Sequence, residues 1–138
     1  MATESTFVFD KSFTAAESLS AAQFYIVSSS AAGVAAICAA SSGITTVVAR
    51  AYGVVQNNPT SGNAATVRRL GTSKCVASSS GTIAVGAFVG SSTWGTAVSA
   101  TTGFWVIGTA MTASTGASGQ IIELDMPGPF MYIAGATA

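Results

Sequence analysis

The sequence predicts a mainly β domain, a small barrel-like or sandwich-like fold with an extended N-terminal arm. Valine and isoleucine alternate with small or polar residues along most of the chain, which is the period-two pattern of half-buried strands. Clusters of Gly, Pro, Asn and Ser separate these runs and favour turns. With 138 residues, 49% of them hydrophobic, the chain is long enough to bury one core and to fold as one domain.

The predicted strands follow from these runs in order. The stretch 31–40 is rich in alanine and therefore ambiguous, and we favour strand, loop and strand there over a helix because Gly33 and flanking serines weaken a helix. The segment 57–63 (NNPTSGN) predicts a loop, and Pro127 should end the last long strand because proline cannot donate to a central ladder. The final FMYI, 130–133, is either an added strand or a hydrophobic tail. The strand-like runs are FYIV (24–27), ITTVVARAYGVV (44–55), AATVRRLGTSKCVA (64–77), TIAVGAFV (82–89), TAVSATTG (96–103), FWVIGTAMTAS (104–114) and IIELDM (121–126).

Residues 1–20 differ from the β-rich domain over 21–138, and we interpret them as an arm. They contain three of the five acidic residues and three phenylalanines, Phe7, Phe9 and Phe13. An extended FVF segment places Phe7 and Phe9 on one face. The rings are expected either to dock on a neighbouring molecule or to cap the chain's own core, and the sequence leaves these alternatives open.

A short helical turn is also predicted after the arm. Thr14 and Glu17 have the spacing of a capping box, which favours a turn of helix running through Leu19 to Phe24.

Composition excludes several functional classes. Charged residues make up 7% of the chain against about 25% in ordinary globular proteins, and the net charge is zero. Because no basic excess exists, we expect no nucleic-acid partner. The start MATESTFVFDK lacks the basic region of a secretory signal, and no apolar stretch resembles a membrane span, so we expect no membrane partner. A surface this poor in charge favours association with partners.

Catalysis and metal binding are not predicted. Without histidine, a Ser-His-Asp or Cys-His arrangement is impossible, and no phosphate loop or zinc spacing occurs. Glu123 and Asp125 would share one side of a strand, where they could form a carboxylate pair or a solvated strand face, and we favour the solvated face. We therefore expect no enzyme, no catalytic residue and no cofactor. Cys38 and Cys75 lie 37 positions apart without a disulfide-scaffold pattern, so we expect both to be free.

Two arginines and one tryptophan are the other candidate contacts. Arg68 and Arg69 are neighbours on a strand and point to opposite sides, so one of them lies on or beside the core face. That arginine could reach the sheet edge and extend to solvent, or pair with a carboxylate of another subunit. We favour the subunit contact, with Arg68 as the contacting residue because Arg69 shares its side with Val67. Trp94 lies in a predicted turn and could anchor a contact or cover the barrel end.

The order of turns and strands over about residues 50–125 resembles the capsid decoration, or cement, proteins of tailed bacteriophages. Residues 1–45 and the C-terminal tail lie outside the resemblance. The matching positions are Gly53, Gln56, Pro59, Gly62, Val67, Gly71, Ile83, Gly86, Val89, Gly108, Ala110, Gly119 and Ile121.

The resemblance implies a small β-rich protein that assembles mainly as a homotrimer on the outside of an icosahedral head. We accordingly expect a structural virion protein, made in the host cytoplasm, that binds the major capsid protein and stabilises the shell. Alternatives are another virion component, such as a head fibre base or a tail part, and a β module that binds a surface or a carbohydrate.

Overall fold

The structure is a computed structural model that describes residues 8–37, 51–101, 104–128 and 130–131, and every described element is a strand. Within these ranges no helix could span a membrane. The strands are β1 (Phe9–Ala15), β2 (Ile26–Ala31), β3 (Val34–Ile37), β4 (Ala51–Val55), β5 (Ala64–Val76), β6 (Phe88–Ser91), β7 (Ala97–Ser99), β8 (Trp105–Val106), β9 (Gly108–Ala110), β10 (Ile121–Met126) and β11 (Phe130–Met131).

Five strands close into a barrel. The order is β1-β3-β2-β4-β5, and β5 pairs back to β1. β1 runs antiparallel to β5, with Asp10 opposite Arg68, and parallel to β3, with Thr14 opposite Val34. Because closure leaves no free edge among these strands, the barrel satisfies the backbone of its own wall. The predicted fold class, a small mainly β barrel domain, is confirmed.

The long strand β5 continues from the barrel into a second sheet. Its second half pairs with β10, and the sheet then runs through β9 and β6 to β7. Gly71 lies where the partner changes and has a φ of 98°, which side chains rarely adopt and glycine tolerates. β8 and β11 form a separate two-stranded pairing.

Two hydrophobic cores lie on either side of a shared wall. β2 and β4 form this wall, since neighbouring residues on each strand point to different cores. Ile26 and Val54 lie in the core beneath the second sheet, whereas Val27 and Val55 lie in the barrel. A shift of register in the β2–β4 pairing, next to Tyr52, lets that ring pack against the barrel core as well. A wall buried on both faces explains why YGVV is a continuous apolar run.

The N-terminal segment belongs to the barrel over its described part. β1 is a full barrel strand, and Phe13 is 7% exposed with its ring edge-on to Tyr52 at a centroid distance of 4.9 Å. The sequence left open whether the phenylalanine rings dock on a neighbouring molecule or cap the chain's own core. Phe13 packs in the chain's own core. The helical turn expected over 14–24 does not form: Glu17 instead accepts a hydrogen bond from the backbone of Ile37 at 2.9 Å, and only isolated turns precede β2.

Two other predicted segments have clear outcomes. The loop over 57–63 is confirmed, and the Asn57 side chain holds it by bonding to the carbonyl of Ala64 and the N–H of Thr66, each at 2.9 Å. The continuous strand predicted over 82–89 is wrong. Only its end belongs to β6, because a turn with Gly86 at a φ of 84° interrupts the run.

Candidate functional site

Arg68 forms a bidentate ion pair with a carboxylate of the same chain. Its Nε donates to Asp10 Oδ1 at 2.9 Å and its Nη2 donates to Asp10 Oδ2 at 3.1 Å. A third bond joins Nη1 to the carbonyl of Thr72 at 3.0 Å. The two side chains are 25% and 34% exposed. The carboxylate that the sequence led us to expect from another subunit is thus supplied by β1, where Asp10 lies directly opposite Arg68.

Arg69 lies on the barrel side of β5, the side that it shares with Val67. Its guanidinium carbon lies 4.9 Å from the centroid of the Tyr52 ring, a stacked cation–π contact. Among the described residues it has no ion pair, and it is half-buried.

Trp94 lies on a rigid turn over residues 92–96, here called the Trp94 turn, which joins β6 and β7. The Ser92 hydroxyl accepts hydrogen bonds from the N–H groups of Trp94 at 3.1 Å and Thr96 at 3.2 Å. The Gly95 carbonyl accepts a bond from Ile26 N–H at 2.7 Å, which fixes the turn to β2. The indole itself is 76% exposed. A large side chain held out to solvent on a fixed turn is suited to a contact, as the sequence suggested.

A second set of exposed apolar side chains comes from β10 and from two segments bonded to the second sheet, the turn before β6 and the residue after β9. Val85 is 65% exposed and Met111 49% exposed, and the bond from Gly86 N–H to the Ala110 carbonyl holds their segments together. Ile121 on β10 is also exposed, and Met111 N–H bonds to the carbonyl of Glu123 on that strand. We call Val85, Met111 and Ile121 the apolar group.

The remaining sequence-predicted contacts are separated from one another. Phe9 is exposed at the start of β1, opposite Leu70, whereas Phe13 is buried. Phe7 and Cys38 lie outside the described residues.

The acidic pair lies on an exposed strand face, and the described cysteine is buried. Glu123 and Asp125 share the exposed face of β10, as predicted. Cys75 is a buried free thiol, and burial raises its pKa to about 12. A buried thiol that stays protonated is inert. The described residues contain no group of three side chains able to hold a metal ion.

The structure also contains a polar groove that no pattern in the sequence predicts. It lies between the barrel wall and the second sheet, and Phe24, Gln56, Lys74 and Glu123 contribute to its lining. These residues are distant in sequence and carry no shared motif, so only their pairing in three dimensions brings them together.

One of three comparisons with known proteins found a similar protein. No protein-family model matches the chain, and no curated protein matches it significantly. Among solved structures, the chain is similar to the head fiber gp8.5 N base of bacteriophage phi29, with a TM-score of 0.58 and 17% sequence identity. The match covers 91% of this chain and 100% of that chain. At this identity the likeness shows a shared fold.

Proposed function

We propose that the chain is a structural component of a tailed-bacteriophage virion that lies on the outer surface of the head, binds the major capsid protein and stabilises the shell. The observation that carries the proposal is the fold likeness to a phage head fiber base, which spans nearly the whole of this chain. The order of turns and strands over about 50–125 supports the same class independently.

The surface supports a part that assembles. Five basic and five acidic residues cancel in 138 positions, and Trp94 and the apolar group expose large hydrophobic side chains. Exposed aromatic side chains on fixed backbone are typical anchors of protein contacts. We propose Trp94 as an anchor on the capsid protein, and the apolar group as a contact between copies of the chain in a homotrimer.

We assign Arg68 to the stability of the fold and propose Arg69 as the contact residue. The planar fork of Arg68 is already bonded to Asp10 and Thr72, whereas Arg69 lies half-buried over the Tyr52 ring and has no ion pair among the described residues. The proposed contact therefore moves from Arg68, which the sequence favoured, to Arg69. Arg69→Ala should weaken attachment to heads at least tenfold, which is about 1.4 kcal/mol. Arg68→Ala should lower stability and leave attachment of the folded protein within about twofold.

Electron microscopy of virions tests the proposal. Virions made from a genome that lacks this chain should be reconstructed with and without added purified protein. We expect added density on the outside of the head, in threefold-symmetric clusters that fit the barrel and the second sheet. The proposal fails if the protein is absent from virions by mass spectrometry, or if its density lies on the tail or inside the shell.

A second candidate is the base of a head fibre, which the same fold likeness favours. The two candidates differ in what continues outward from the domain. Density that ends at the fitted barrel supports a decoration protein, and density that continues into a projecting fibre supports a fibre base.

A further inference from the structure

The polar groove has a volume of about 280 Å³. Phe24 and Gln56 contribute from the barrel side, and Lys74 and Glu123 contribute from β5 and β10 of the second sheet. The volume is close to the lower end of small-ligand sites in proteins.

Phe24, which lines this groove and packs in part against the core beneath the second sheet, has an unusual backbone. Its φ is 66°, the only positive value among the described residues other than glycine. A bulky side chain in this region is a strained outlier, and such outliers concentrate at binding sites. Two strands hold it there: Phe24 N–H bonds to the Val55 carbonyl at 2.8 Å, and Val76 N–H bonds to the Phe24 carbonyl at 3.1 Å.

Hydrogen-bond donors and acceptors both line the groove beside the Phe24 ring. Lys74 lies directly opposite Glu123 in the pairing of β5 with β10, yet no lysine of the described chain has a carboxylate oxygen within 4.0 Å. Lys74 Nζ instead lies 6.0 Å from the centroid of the Phe24 ring. The Gln56 amide nitrogen donates to Val54 O at 3.0 Å and to Ser73 Oγ at 2.9 Å. These bonds orient the amide and leave its carbonyl oxygen as an acceptor.

The charge balance decides the class of ligand. Arg68 also lines the groove, and its positive charge is balanced by Asp10, while the positive charge of Lys74 is balanced by Glu123, its neighbour on the adjacent strand. A phosphate or other anion would therefore meet a carboxylate and no net positive charge, whereas sugar hydroxyls can donate to Glu123 and Gln56 and accept from Lys74. The aromatic ring adds an apolar surface for the C–H face of a sugar.

We propose that this groove binds a neutral sugar unit of a glycan. The proposal goes beyond attachment to a phage head and does not depend on it, since the site lies within one chain.

Titration of the purified protein with neutral saccharides tests the proposal. Glucose, galactose, mannose and N-acetylglucosamine are added at millimolar concentration while backbone amide shifts are followed by NMR, with inorganic phosphate as a separate probe. We expect at least one saccharide to produce saturable shifts at Phe24, Gln56, Lys74 and Glu123, and phosphate to produce none.

Two matched pairs of variants separate the groove from the general surface. Glu123→Ala should weaken saccharide binding at least tenfold, whereas Asp125→Ala, on the same exposed face of β10, should not change it. Lys74→Ala should also weaken binding, and Lys11→Ala should not, although Lys11 Nζ lies at a similar distance, 5.6 Å, from the Phe13 ring. The inference is overturned if no neutral saccharide gives saturable shifts, if phosphate binds in their place, or if the control variants lose binding equally.

Discussion

The Trp94 turn is packed so closely against β2 and β3 that one added methyl group should loosen it. Gly95 has a φ of 79°, and a Cβ at this position would lie 2.8 Å from the Ile26 carbonyl oxygen and 2.9 Å from Ile37 Cγ2. The first of these atoms belongs to backbone in the barrel wall and cannot turn aside. Gly95→Ala therefore destabilises the turn in two ways, through a steric clash and through a left-handed backbone conformation that alanine disfavours.

A second glycine separates the two costs. Gly119 has nearly the same φ, 74°, but no atom lies within 4 Å of the position that a Cβ would take there, so Gly119→Ala meets open space. The left-handed conformation alone costs an alanine about 1–2 kcal/mol. Overpacking adds about 1–3 kcal/mol, which gives about 2–5 kcal/mol for Gly95→Ala.

Thermal unfolding followed by circular dichroism measures the difference. One kcal/mol corresponds to about 3–5 °C in a chain of this size. We expect Gly119→Ala to lower the melting temperature by about 3–10 °C and Gly95→Ala to lower it by at least about 3 °C more. Equal losses for the two variants would refute the reasoning, because they would show that the turn can move away from β2 at no cost.

Three further predictions concern the Asp10–Arg68 pair, Trp94 and Cys75. In a double-mutant cycle, Asp10→Ala and Arg68→Ala should show a coupling of about 0.5–1.5 kcal/mol in urea unfolding, because the pair is bidentate but partly exposed; additive losses would contradict this. Trp94→Ala should reduce binding to phage heads at least tenfold while changing the melting temperature by less than about 2 °C, since the indole is mostly exposed, and unchanged cosedimentation with heads would remove it as an anchor. Burial raises the pKa of the Cys75 thiol from 9.0 to about 12, so the folded state keeps a proton that the unfolded state releases. The contribution of this thiol to the free energy of unfolding is complete below pH 9 and falls by about 1.4 kcal/mol per pH unit between pH 9 and 12. Urea unfolding at several pH values should therefore show a shallower alkaline loss for Cys75→Val than for the parent, and parallel curves would contradict the assignment.

The local patterns of the sequence predicted the elements that depend on near neighbours. The alternation of Ile122 and Leu124 with Glu123 and Asp125 gives β10 its buried and exposed faces. Asn57 specifies the following loop by hydrogen bonds to Ala64 and Thr66. In both cases the determining residues are close together along the chain.

Features that depend on distant pairing could not be predicted in this way. The barrel closes through a pairing in which Asp10 and Arg68 are 58 positions apart, and nothing local distinguishes an intrachain carboxylate from one on another subunit. The capping box at Thr14 failed because β1 extends through that position to Ala15 and the Glu17 carboxylate bonds to a tertiary partner in β3. The groove beside Phe24 forms where the barrel meets the second sheet. The hydrophobic periodicity of the sequence does not predict how the two pack together.

The shared wall makes the two halves of the molecule inseparable. β2 and β4 carry apolar side chains on both faces, and β5 runs without a break through both sheets. Cutting the chain at Gly71 would leave the five-strand barrel closed, but it would expose to water the faces of β2 and β4 that cover the second core, and it would remove that cover from the second sheet. Neither half can therefore serve as an independent building block, and exchange of segments between related proteins should succeed only in the exposed loops, such as 115–119, and fail anywhere along the wall.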